Sequence, residues 1–121
     1  MDSEALAGIA LMREDVSAAW PGPGGLMTAF MRHVPTDAHS YERLWRYVEA
    51  GSAAVVVRDF NYDRKKMQED IPRGHTIGAV RTQADALLAL DMAARLAAAK
   101  QQAPNGALGW IKRRLGRRPA G

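Results

Sequence analysis

Apolar and polar residues follow a helical period over most of this chain, and the longest such stretch is Thr82 to Ala103, TQADALLALDMAARLAAAKQQA. At 100° per residue, Leu87, Leu90, Ala94, Ala97 and Ala98 fall on one side, and Leu88, Met92 and Leu96 cover most of the other. Only Asp91 and Arg95, an i,i+4 pair, form a polar seam. A helix apolar on two sides is covered on two sides, within the domain or by a second copy, and its many alanines admit close backbone approach. This segment is expected to be the central helix.

The same reading places the other elements. Glu4 to Trp20 predicts a first helix, with Leu6, Ile9, Met12, Val16 and Trp20 along one side and Ser3 or Asp2 as N-cap. Pro21-Gly22-Pro23-Gly24-Gly25 stops it and reads as a connector, because a phosphate-cradling glycine loop needs a preceding strand. Leu26 to His33 forms a short helix ended by Pro35. Thr36 and Asp37 then cap a helix over Ala38 to Ala50, where Tyr41, Leu44, Trp45 and Val48 sit at i, i+3, i+4 and i+7 and Gly51 supplies the stop. An aromatic stripe of this spacing belongs to a core more often than to a ligand-stacking surface.

Two segments break the helical period. Ala53 to Phe60, AAVVVRDF, has three successive valines and predicts a strand, paired with 75–80 (HTIGAV) across the polar loop NYDRKKMQEDIPRG. The alternative keeps 53–69 helical, with Val56, Phe60 and Met67 on one side. The favoured expectation is an α+β, mainly α, single domain of four to five helices with one small β-hairpin, spanning residues 1–105 and followed by a basic tail, 106–121.

Charge sharpens that division. Of 17 Lys and Arg, five lie in residues 106–121 with no acid, leaving 12 against 13 Asp and Glu in the preceding 105 residues. The body is near neutral, and the net charge of +4 belongs to GALGWIKRRLGRRPAG. There Lys112, Arg113, Arg114, Arg117 and Arg118 offer five charges to phosphates, and Trp110 offers a ring to stack on a base. Leu108, Ile111 and Leu115 share a helical side, so an anionic membrane surface stays open as a partner. A charge-rich terminus that only aids solubility is the bland alternative.

Other chemistry is sparse. With no cysteine, disulfides, thiolate metal sites and cysteine nucleophiles are excluded. Asp59, Asn61 and Asp63 resemble the opening of a calcium loop with Asp70 at its twelfth position, but Arg64 replaces the required glycine and Arg64-Lys65-Lys66 repels a cation. His33, His39 and His75 stand in no metal-ligand spacing. His75, in a loop before the central helix, would need Ser40, Ser52 or Asp59 as partners for catalysis, and no spacing ties them together. No cofactor and no catalytic residue is expected. The acidic start MDSEALAGIALMREDV lacks the basic region of a signal peptide, and no apolar run approaches the ~18 residues of a membrane span, so a soluble cytoplasmic protein is expected.

The expectation is a small binding protein that forms homo-oligomers and whose tail engages an acidic partner, nucleic acid first; strand 53–60 pairs within the chain or with the same strand of a second copy. The competing readings are an adaptor or inhibitor seated on an acidic protein surface, and an enzyme centred on His75.

Overall fold

The computed structural model describes residues 1–60 and 75–100, the side chains of Asp59, Phe60, His75 and Lys100 excepted. Five helices account for most of it: α1 (Ser3–Ala18), α2 (Gly25–Arg32), α3 (Ala38–Phe60), the single turn α4 (His75–Gly78) and α5 (Gln83–Lys100). Three of the starts are capped by a side chain. Asp2 caps α1 by accepting the Ala5 N–H at 3.2 Å, Asp37 caps α3 by accepting the Ser40 N–H at 2.9 Å, and Thr82 caps α5 by accepting the Asp85 N–H at 3.1 Å. Before α2 stands Gly24 at φ +88°, a left-handed conformation that suits glycine.

α5 lies between α1 and α3 and runs antiparallel to both. On the α1 side, Asp2 N–H donates to the Ala97 carbonyl, Arg13 pairs with Asp91, and Gln83 Nε2 donates to the Val16 carbonyl. On the α3 side, Arg58 pairs with Asp85 at 2.6 Å, and Gly51 crosses against Ala89 and Ala93. The alanines act as spacers here. Ala86, Ala89, Leu90, Ala93 and Ala97 form one fully buried face, flanked by half-buried Leu87 and Ala94 towards α1 and by half-buried Leu88 and Met92 on the other flank. Leu96 is 45% exposed, so the second apolar side read from the sequence is covered only in part.

The expected β-hairpin is absent. Residues 53–60 continue α3, 75–78 form α4, and the described residues contain no strand, so the protein is mainly helical rather than α+β. Gly51 does not stop the helix at Ala50 either. Val48, Ser52, Val55 and Val56 are all buried at helical spacing, whereas an extended chain would put Val55 and Val56 on opposite faces. Strand preference for valine amounts to ~1 kcal/mol across the whole scale, less than the burial of two such side chains contributes. Ser52 keeps its hydroxyl satisfied inside this helix by donating to the Val48 carbonyl at 2.7 Å.

The aromatic stripe does pack inwards. Phe30 of α2 makes T-shaped contacts with Tyr41 and Trp45 at centroid distances of 5.6 and 5.3 Å, and those two rings stack 6.3 Å apart. Trp20 is not in that cluster and packs over Gly25 instead.

Among the described residues, one buried side chain has no hydrogen-bond partner. Thr76 of α4 is 4% exposed and its Oγ1 makes no hydrogen bond to another described residue. An unpaired buried hydroxyl opposes folding, so Thr76→Val should raise stability by about 1 kcal/mol in urea unfolding. A loss of stability instead would mean that the hydroxyl has a partner in the folded protein.

Candidate functional site

Asp15 near the end of α1 is the point where charged groups converge. Its Oδ2 accepts from His33 Nε2 at 2.6 Å and from Arg32 Nη1 at 3.2 Å, both brought by the C-terminal end of α2. The hydrogen bond from His33, reinforced by the charges of His33 and Arg32 and opposed by desolvation, holds the Asp15 carboxyl below the ordinary carboxylate value. No local motif announces this cluster, because Asp15 and His33 are 18 residues apart and separated by the Pro-Gly connector.

Two clefts flank it. One, of about 300 Å³, is bounded by Asp15, Val16, Trp20, Gly25, Thr28 and Arg32. The other, of about 560 Å³, lies between α1 and the start of α3 and presents Glu4, Gly8, His33, Thr36, Asp37 and Ser40. His33 therefore stands between a carboxylate on one side and an open cleft on the other. Asp37 is held below the ordinary carboxylate value by the backbone N–H and then the hydroxyl of Ser40, the latter bond 2.8 Å long.

Asp2 makes a second hub at the far end of α1. Burial raises its carboxyl, but the Ala5 N–H, the Tyr47 hydroxyl and the Arg43 guanidinium together outweigh that and hold it low. Arg43 Nε donates at 2.9 Å and Tyr47 O–H at 3.1 Å, which fastens α1 to α3. Burial, then the bond to Asp2, pushes the Tyr47 hydroxyl up.

Asp2, Asp15 and Asp37 all bind a proton less readily in the folded chain than in the unfolded one. Their contribution is therefore present above the unfolded carboxylate value, near pH 4, and is lost as pH falls through the lower folded values. Urea midpoints should fall as pH drops below about 4. Asp15→Asn and Asp2→Asn should each flatten that acid limb; an unchanged limb in both would remove these carboxylates as its cause.

The residues singled out from sequence fare differently. Trp110, Lys112, Arg113, Arg114, Arg117 and Arg118 lie outside the described residues, as do Asn61, Asp63 and Asp70. His75 opens α4 rather than a strand, and its side chain is also outside them. Ser40 and Ser52, considered as its partners, are occupied by Asp37 and the Val48 carbonyl. His39 is exposed at the start of α3. Among the described residues, no group of three or more His, Asp and Glu could hold a metal ion, and no helix is long and apolar enough to cross a membrane.

No family model, no curated protein and no solved structure matches this chain.

Proposed function

We propose that this is a small non-enzymatic binding protein that engages a polyanion, nucleic acid first, through the basic segment 106–121. The observation that supports the reading is how charge is distributed along the sequence, 12 basic against 13 acidic side chains in residues 1–105 and five basic with none acidic in 106–121. In the helical body Arg13, Arg32, Arg43, Arg46 and Arg58 each sit against a carboxylate, of Asp91, Asp15, Asp2, Glu42 and Asp85 respectively. The segment 106–121 has five cations and no acid of its own. The excess positive charge of the sequence therefore lies in 106–121, and each phosphate contact made there would release condensed counterions.

Binding of fluorescent duplex and single-stranded DNA across a salt series tests this. With all five charges of 106–121 engaged, log K should fall against log salt on duplex DNA with a slope of about −4 to −5. Deleting 106–121 should abolish binding while leaving helix content and melting temperature in place. Trp110→Ala should cost roughly 1–3 kcal/mol on single strands if the indole stacks on a base, and little if attraction is by charge alone. Anionic vesicles provide a parallel arm for a lipid surface. Indifference of the full chain to DNA, RNA and vesicles at low salt would end the polyanion reading and leave an acidic protein surface as the partner to seek.

A further inference from the structure

We propose that the cleft walled by Trp20 is a binding site for a small planar aromatic molecule carrying a single anionic group. The proposal is independent of segment 106–121. At about 300 Å³ the cleft is of the size that small ligands occupy. Val16 and Ala29 are buried and give it an apolar floor.

The indole wall packs closely on Gly25. Gly25 lies so close beneath it that a Cβ there would stand 2.7 Å from Trp20 Cζ3 and 2.9 Å from Cε3. A ring held this way offers a flat surface at little entropic cost, which favours a flat partner. Polar groups stand at the rim, where Thr28 and Arg32 join Asp15.

The sign of the ligand's charge follows from how Asp15 is shared. Arg32 is 62% exposed and holds Asp15 by one bond of 3.2 Å, whereas His33 is 19% exposed and holds the same oxygen at 2.6 Å. Arg32 can turn to an incoming anion while Asp15 keeps its shorter bond. Its remaining guanidinium N–H groups make no other hydrogen bond among the described residues, so a carboxylate or phosphate finds donors ready in a fork. An incoming cation would find Asp15 already answered by two donors. Two sources share this ligand chemistry: an aromatic carboxylic acid and a purine mononucleotide.

Titration of the full chain, read at the Trp20 indole N–H by NMR and assigned with Trp20→Phe, tests the proposal. Repeating the titration on the chain lacking 106–121 separates association of a nucleotide with that segment from binding at Trp20. The probes are indole-3-acetate against indole-3-acetamide, and adenosine 5′-monophosphate against adenosine. The charged member of at least one pair should shift Trp20 saturably and bind about tenfold or more tighter than its neutral counterpart. Whichever pair does so identifies the source as carboxylate or phosphate ester. Arg32→Gln should erase the preference without weakening the neutral probe, and Arg32→Lys should retain part of it. No saturable shift at Trp20, equal binding of charged and neutral probes, or a preference that survives Arg32→Gln would each overturn the assignment.

Discussion

Gly51→Ala is expected to cost about 3 kcal/mol or more, a large part of the roughly 5–15 kcal/mol that holds a small domain together. In an ordinary helix interior the same change would stabilise by about 0.5–1 kcal/mol, because glycine gives up more backbone freedom than alanine. Here a Cβ would fall inside the van der Waals envelope of the Ala89 carbonyl oxygen and stand 3.0 Å from its carbon and 3.2 Å from the Ala93 nitrogen. Those are backbone atoms, so no rotamer change relieves the clash and α3 must move away from α5. Gly8→Ala is the control: its Cβ would meet Leu44 Cδ2 at 3.5 Å, ordinary contact, and the variant should be neutral or slightly more stable. Urea unfolding of the pair checks both, and a Gly51→Ala protein as stable as the parent would mean that the two helices do not touch there.

Leu90→Asp is expected to unfold the protein. Leu90 is fully buried in the face that α5 turns to the core, and an unpaired carboxylate there costs several kcal/mol. Leu88→Asp puts the same group at a half-buried position on the flank of α5. It should cost markedly less and leave a cooperative transition. Circular dichroism melts of the two variants give the order, and equal losses would mean that the flank bearing Leu88 is as deeply covered as the core face. Should Leu88→Asp change the mass in solution while the fold persists, the half-covered strip of Leu88, Met92 and Leu96 is an interface between copies.

The helical elements were largely legible because each writes its own period and caps into consecutive residues. The central position of α5 was legible in its alanines, since a helix that brings so little bulk to two neighbours has to approach them closely. That residues 53–60 are helical rather than a strand of a β-hairpin has a physical reason. Three valines state a local preference, but whether Val55 and Val56 share a buried face depends on α5, about thirty residues further on. Gly51 was misread for the same reason: a glycine that ends a helix and a glycine that lets two helices cross look alike until the second helix is in place. Of the clefts, the sequence displayed the Pro-Gly connector and Trp20 but not that Asp15 would be shared by Arg32 and His33. Such sharing is set by tertiary geometry, and nothing within a few residues of Asp15 encodes it.

The bond from the Asp2 N–H to the Ala97 carbonyl has a consequence for how the chain is made. The two groups are 95 residues apart in sequence, so at the usual ribosomal pace of about 5–20 residues per second α1 emerges several seconds before its partner exists. During that interval the apolar side of α1, with Ile9, Met12 and Val16, has no α5 to cover it. Burial of the apolar side of α1 is thus tied to synthesis of α5, and slow or interrupted translation between them prolongs the period in which the nascent chain is a substrate for chaperones.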